Sequence, residues 1–245
     1  MKRHILCLLA VPAIAAKDAP VDEPTASDFV GRYDGNSFET AMGMEILDDG
    51  TWHWGLSVGA LDMRAKGTWE QRGNTLILTS APKPVAPKFA WSGVEKTATG
   101  GQNPPFLRVV SATNGKPFRY ASAELLCANG ETFYGQIRSD GYPSVRELEY
   151  RDPPPPEEDP RRSCDAPARA VLTQSVYHVR SEVFDLKALG WKPGQTARFA
   201  FHRNDMGVAD FTGVTGTLVD GKLKLTGAEW PLELRKLPTR SPDLE

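Results

Sequence analysis

The segment TWHWGLSV, residues 51–58, alternates large apolar residues with small or polar ones. The apolar set is Trp52, Trp54, Leu56 and Val58, and the intervening set is His53, Gly55 and Ser57. A period of two sends successive side chains to opposite faces of a β-strand. This segment therefore predicts a strand with one buried face and one face open to solvent.

Tight turns separate this segment from others of the same kind. Asn-Gly and Asp-Gly pairs supply the positive φ angles that short hairpins need. The pairs are Asp34-Gly35, Asp49-Gly50, Asn114-Gly115, Asn129-Gly130, Asp140-Gly141 and Asp220-Gly221. The chain is therefore predicted to be all-β and built from antiparallel meanders. One window between residues 172 and 186 also has apolar residues at helical spacing, but its valines and its lack of a cap favour strands.

Proline-rich stretches divide the chain into three β segments. An N-terminal meander covers 28–80, a β-sandwich-like middle segment covers 106–150, and a C-terminal β segment covers 166–238. Residues 151–163 form a proline-rich spacer between the last two. The pattern of glycines and alternating leucines in 67–79 is repeated in 216–226. We therefore expect the N- and C-terminal stretches to share one core, in an antiparallel barrel or sandwich, with a small sandwich-like middle stretch.

The first residues predict export. Lys2 and Arg3 precede an apolar run over 5–14, and small residues follow it. This order is typical of a secretory signal peptide, here 1–16, with cleavage near Ala15 or Ala16. The apolar run is about half of the roughly 20 residues that span a bilayer, although an uncleaved anchor is the alternative. The prediction is a periplasmic or secreted protein without a transmembrane anchor after cleavage.

The charge of the chain bears on a nucleic-acid partner, and its cysteine content bears on a disulfide. Loss of Lys2 and Arg3 changes the net charge from −2 to −4, which argues against a nucleic-acid partner because phosphate binding needs a basic surface. After cleavage, Cys127 and Cys164 are the two remaining cysteines. In an oxidising compartment we expect them to form a disulfide, worth roughly 3–4 kcal/mol. A two-thiolate metal site is the alternative, but no further ligand lies at the right spacing.

Two stretches resemble known β architectures. Phe29-Val30-Gly31-Arg32-Tyr33 and the meander that follows, over 28–79, resemble lipocalin-like barrels, which implies an interior able to hold an apolar ligand. Leu107-Arg108-Val109-Val110, Gly115-Lys116-Pro117 and Asp140-Gly141-Tyr142, within 107–142, are similar to carboxypeptidase-regulatory-like (transthyretin-like) sandwich modules. That second resemblance implies a binding or spacing role without catalysis. Neither resemblance points to a specific family.

No residue pattern indicates catalysis, a cofactor or a metal. The histidines of the mature chain, His53, His178 and His202, are far apart and form no ligand pair. Nucleophile elbows, phosphate loops and dinucleotide fingerprints are absent. The sequence therefore predicts a protein that is not an enzyme.

Tryptophans are the remaining signal. Trp52 and Trp54 share a strand face, and Trp69 is expected near them across the next hairpin. They either pack in the core or line a ligand site. The resulting hypothesis is an exported, non-enzymatic β protein that binds a small apolar ligand or an envelope protein. The alternatives are a structural or assembly module of the cell envelope, and an envelope hydrolase whose site the sequence does not reveal.

Overall fold

The computed structural model describes residues 26–96, 106–128, 130, 132–143, 167–229 and 231–238. Apart from one helical turn, Ala26–Phe29, the regular elements of these residues are β-strands. The all-β prediction is confirmed. The predicted signal peptide 1–16 and spacer 151–163 lie outside the described residues. Among the residues described, no helix has the length and apolar character to cross a membrane.

Eight antiparallel strands close into a barrel. They are β1 (Gly31–Asp34), β2 (Thr40–Ile46), β3 (Thr51–Val58), β4 (Leu61–Arg72), β5 (Thr75–Ser80), β14 (Val214–Val219), β15 (Lys222–Thr226) and β16 (Leu232–Lys236). The order around the barrel is β1-β16-β15-β14-β5-β4-β3-β2. Closure leaves none of these strands as a free edge, which removes the usual site of edge-to-edge aggregation.

The two ends of the chain share this barrel, as the sequence predicts. Strand β5 pairs with β14, and β1 pairs with β16. The repeated pattern forms two neighbouring hairpins, β4–β5 and β14–β15, in the same wall. Each places a glycine, Gly67 or Gly216, where an added Cβ would collide with its surroundings. At Gly67 the collision is with the backbone of Thr79, and at Gly216 it is with the side chains of Leu225 and Leu223.

A β-sandwich is inserted between β5 and β14. One sheet contains β6 (Lys88–Lys96), β7 (Leu107–Ser111) and β13 (Gln195–His202). The other contains β8 (Ser122–Cys127), β9 (Thr132–Gln136), β10 (Pro167–Gln174), β11 (Val179–Arg180) and β12 (Phe184–Asp185). An aromatic contact joins the two sheets, because the ring of Phe184 on β12 lies 4.8 Å from the ring of Phe199 on β13.

The predicted C-terminal segment 166–238 divides between the two bodies. Its first part, β10 to β13, belongs to the sandwich, and its last three strands belong to the barrel. The division follows from side-chain matching, because Phe199 and Phe201 of β13 pair in register with Trp91 and Phe89 of β6. The window with helical spacing contains the end of β10, all of β11 and β12 and the turns between them, and no helix; Val179 lies in β11, whereas Val176 lies in a turn and Val183 lies just before β12.

The chain returning from the sandwich fits into the barrel wall. The first half of β4 has β3 on one side, and the segment around Val208 occupies the other. The Arg64 N–H donates to the Gly207 carbonyl, and the Ala209 N–H donates to the Arg64 carbonyl, both at 2.9 Å. The outgoing and returning connections also bond to each other, through the Val85 N–H and the Asp205 carboxylate at 2.8 Å. The junction of the two bodies is therefore hydrogen-bonded.

Candidate functional site

The predicted tryptophan face lies inside the barrel. Trp52 is fully buried and Trp54 is 3% exposed. The ring of Phe211, which precedes β14, lies 5.2 Å from Trp52 and 5.1 Å from Trp54. The Phe211 N–H donates to Ser80 Oγ at 2.8 Å, which holds the ring in this position. The space between the two tryptophans and the far wall is thus occupied by a side chain of the protein itself.

The indole N–H groups have different surroundings. Trp52 Nε1 donates to the Thr68 carbonyl at 2.9 Å, and Trp69 Nε1 donates to the Leu47 carbonyl at 2.8 Å. Trp69 is partly buried against the same core. Trp54 Nε1 is buried and has no hydrogen-bond partner among the described residues. The structure therefore brings Trp52 and Trp54 together around Phe211, whereas Trp69 is tied to the β2–β3 turn.

The other end of the barrel interior is also filled. Phe29, at the end of the helical turn, is fully buried in the barrel core. The Tyr33 hydroxyl donates to the Phe29 carbonyl at 2.6 Å, and burial raises the pKa of this phenol. Aromatic side chains from outside the strands therefore enter the barrel before β1 and before β14.

The outer wall carries a cleft of about 720 Å³ over β1 to β4. This volume falls within the usual range for small-molecule sites, about 300–1,000 Å³. One row of paired residues crosses all four strands: Asp34 pairs with Gly43, Gly43 with Gly55, and Gly55 with Arg64. These residues have the opposite parity to the buried Tyr33, Met44, Trp54 and Ala65 on the same strands. The centre of the cleft is therefore a floor made by two adjacent glycines.

These two glycines have room for a side chain. A Cβ at Gly43 would lie 3.6 Å from the Tyr33 carbonyl oxygen, and a Cβ at Gly55 would lie 3.9 Å from that of Met63. Both distances are ordinary van der Waals contacts. By contrast, a Cβ at Gly67 would lie 1.8 Å from the Thr79 carbonyl oxygen. Gly67 is required by the packing of the wall, but Gly43 and Gly55 are not.

Charged side chains surround this floor. Asp34 is bonded to Arg235 at 3.2 Å and accepts the Asn36 N–H at 3.0 Å, and these contacts hold its pKa below the ordinary range. Asp62 accepts a hydrogen bond from the Ser57 hydroxyl. Arg32 and Arg64 are exposed, and neither guanidinium has a hydrogen bond or ion pair to the described part of the chain. The guanidinium groups of Arg32 and Arg64 are therefore free to donate hydrogen bonds to a ligand in the cleft.

The alternation in 51–58 predicts that His53, Gly55 and Ser57 face solvent, but it indicates no site there. The available signal was the glycine at the centre of a strong strand pattern, where a side chain would ordinarily add stability. That Gly55 lies beside Gly43 can be known only from the register of β2 against β3. Arg32 and Arg64 are related only through four strands, so no local pattern connects them.

The structure does not gather residues for a metal site in the regions it describes. His53 lies on the outer face of β3, His178 lies in the turn before β11, and His202 ends β13. No group of three or more His, Cys, Asp or Glu side chains within the described ranges could hold a metal ion. The prediction that the protein is not an enzyme remains untested.

A second charged cluster lies on the sandwich. Arg108 bonds to Glu95 at 3.4 Å, and its guanidinium lies 5.3 Å from the centre of the Tyr142 ring. Arg198 pairs in register with Arg108, and its Nε atom is buried without a partner among the described residues. Because Glu95 and Tyr142 already occupy Arg108, this cluster is a local ion pair rather than an open site.

Cys127 ends β8 and is buried. Its predicted partner Cys164 lies outside the described residues, so the disulfide remains a prediction.

Comparisons with known proteins give this chain no relative. No family model matches it, and no curated protein and no solved structure is significantly similar to it.

Proposed function

We propose that this chain is an exported, non-enzymatic binding protein that holds a small molecule in the outer cleft of its barrel. The observation that carries the proposal is the glycine floor. Gly43 and Gly55 are neighbours on adjacent strands, and both leave room for a Cβ. A glycine inside a strand costs roughly 0.5–1 kcal/mol relative to alanine. Two such glycines side by side, with no packing need, preserve an open cleft at the expense of stability.

This proposal moves the ligand from the inside of the barrel to the outside. A small apolar ligand bound against Trp52 and Trp54 would have to displace Phe211, which contacts both rings. The outer cleft needs no such displacement. Its floor presents backbone at Gly43 and Gly55 and the small side chain of Ala41. An extended apolar chain fits this surface.

Export is supported by the signal-like N-terminus and by the position of Cys127. Pro167 pairs with Cys127 across β8 and β10, and Cys164 precedes Pro167 by three residues. Three residues span at most about 10 Å, so the chain permits the predicted disulfide. Thiol titration of the denatured, unreduced protein should find no free thiol in the mature chain, and two free thiols would contradict the pairing.

The binding proposal is tested with four eight-carbon probes: suberate, octanoate, 1,8-octanediol and 1,8-diaminooctane. Suberate, with 12 non-hydrogen atoms, is expected to bind with a dissociation constant of about 1–10 mM, and the other probes more weakly. Amide NMR spectra suit this range, because glycine amides and tryptophan indoles are both resolved. At least one probe should shift the amides of Gly43 and Gly55 and leave the Trp54 indole unchanged.

Gly55→Val supplies the matched test, because it fills the floor with a residue that strands favour. The variant should fold with unchanged or higher stability and lose the shifts. Thr217→Val, on the outer face of β14 across the barrel, should retain them. Shifts confined to the Trp52 and Trp54 indoles, or binding unaffected by Gly55→Val, would contradict the proposal.

An envelope protein partner is the second candidate, and Phe38 favours it. This side chain is 90% exposed at the tip of the β1–β2 hairpin, which borders the cleft through Asn36. Exposed aromatic side chains are enriched where proteins meet. A partner seated on this hairpin would also cover the cleft.

A further inference from the structure

The charges around the cleft indicate the chemistry of its ligand, an inference that rests on the proposed function. Arg32 lies on β1 and Arg64 on β4, at opposite sides of the glycine floor. Neighbouring strands are about 4.8 Å apart, and Arg64 lies two residues along β4 from Lys66, the residue in the same row as Arg32. Three spacings across the wall and about 7 Å along it therefore separate the two backbone positions by about 16 Å. An arginine side chain reaches inward by several ångströms, so both guanidinium groups can contact one extended molecule.

The acidic side chains of the cleft are already engaged. Arg235 neutralises Asp34, at 3.2 Å. The Ser57 hydroxyl donates to Asp62, which remains the one uncompensated acid of the lining. The cleft also contains the guanidinium groups of Arg32 and Arg64, each with five N–H donors. The free charges of the cleft therefore sum to one positive charge, and its free hydrogen-bonding capacity is that of donors.

The middle of the cleft has different chemistry from its ends. Gly43 and Gly55 present backbone whose N–H and C=O groups are used in the barrel pairing. Ala41 adds a methyl group beside them. The middle therefore offers little to a polar group and suits methylene or ring carbons.

We infer that the cleft binds an elongated small molecule with an acidic group at each end and an apolar middle, one acidic group contacting Arg32 and the other Arg64. Guanidinium groups bind carboxylates and phosphates through paired, charge-assisted hydrogen bonds. Binding of this kind weakens as salt screens the exposed charges.

The four eight-carbon probes separate charge from shape. Suberate has an acidic group at each end, octanoate has one, 1,8-octanediol has none, and 1,8-diaminooctane reverses the charge. The expected order of affinity is suberate, then octanoate, then the diol, with the diamine weakest. Because both arginines are exposed, each lost contact between a charged pair should weaken binding by about 2- to 5-fold.

Arginine variants assign the two contacts. Arg32→Gln and Arg64→Gln should each weaken suberate binding by about 2- to 5-fold and leave diol binding unchanged. Arg72→Gln is the matched control, because Arg72 is exposed on β4 outside the cleft. Thermal unfolding of each variant checks that the fold is retained.

The outcomes distinguish this inference from the proposed function. If the diol or the diamine binds as tightly as suberate and Gly55→Val still abolishes binding, the cleft is a binding site but the acidic ligand is wrong. The same conclusion follows if neither arginine variant weakens suberate. If none of the four probes shifts the amides of Gly43 and Gly55, both ideas fail.

Discussion

The inner and outer faces of the barrel wall are built from alternate residues of the same strands, but side chains fill the inner face and leave open space on the outer face. Inside, Trp52 and Trp54 pack against Phe211 and fill the space. Outside, Gly43 and Gly55 leave space that a side chain could occupy. The difference shows that aromatic residues in this barrel serve packing, whereas the absence of side chains creates the candidate site.

The largest effect expected from this comparison is on the inner face. Trp54→Ala should lower the free energy of unfolding by about 3–5 kcal/mol, because it removes a buried ring and its contact with Phe211. Urea denaturation at pH 7 measures the loss. Trp54→Phe is the matched control and should cost less than half as much, since it keeps an aromatic ring against Phe211, leaves a smaller cavity than alanine and removes an N–H that has no partner among the described residues. A loss below 1 kcal/mol for Trp54→Ala would mean that this face is a loosely filled cavity.

A pair of glycine substitutions tests the two faces directly. Gly67→Ala should cost about 3 kcal/mol or more, because its Cβ would lie 1.8 Å from a backbone oxygen and the strands would have to separate. Gly55→Ala should instead raise stability by about 0.5–1 kcal/mol. The two changes are chemically identical, so each is the control for the other. Equal effects in thermal unfolding would contradict the distinction between required and dispensable glycines.

A smaller effect on stability is expected when acid protonates Asp34 on the outer face. The Asn36 N–H and then Arg235 hold the pKa of Asp34 below its ordinary range, so the folded state favours the charged form. Its contribution is therefore present above pH 4 and is lost as the pH falls through the folded pKa. The melting temperature of Asp34→Asn should lie slightly below that of the parent at pH 7, and the difference should vanish in acid.

Asp48→Asn, in the exposed β2–β3 turn, is the control for this acid effect. The difference in melting temperature between Asp48→Asn and the parent should be the same at pH 7 and in acid. A difference between Asp34→Asn and the parent that grows in acid would refute the predicted sign.

The smallest effect on stability is expected at the hairpin tip. Phe38 is almost fully exposed, so Phe38→Ala should change the free energy of unfolding by less than about 0.5 kcal/mol. Probe binding in the cleft should also be unchanged. A loss of more than 1 kcal/mol would show that Phe38 packs against the fold, and it would remove the argument for a partner-binding surface.

Much of the fold could be predicted from local patterns. The alternation of Trp52 and Trp54 with His53 indicated a strand with one buried face, and that face is buried. The repeat between 67–79 and 216–226 indicated that the chain ends share a core, and they form adjacent hairpins. These predictions succeeded because strand parity and turn chemistry are properties of neighbouring residues.

The candidate site could not be predicted in the same way. The tryptophan pattern left Trp52, Trp54 and Trp69 either in the core or at a ligand site, and it made them the candidate ligand-binding residues because large aromatic residues are common in such sites. It could not anticipate Phe211, whose contact with both rings depends on a chain reversal through the whole sandwich. A site made of missing side chains has no compositional signal either, since glycine also occurs where packing demands it, as at Gly67.

The sequence by itself determined that the chain forms antiparallel strands, where its hairpins turn, and which residues of each strand face the core. These depend on interactions over a few positions. Only the tertiary structure decided that Ser80 meets Phe211, 131 positions away, and that Asp34, Gly43, Gly55 and Arg64 form one row. The reason is physical: the register between strands depends on how the whole barrel closes, and a shift of one residue would place every side chain on the other face.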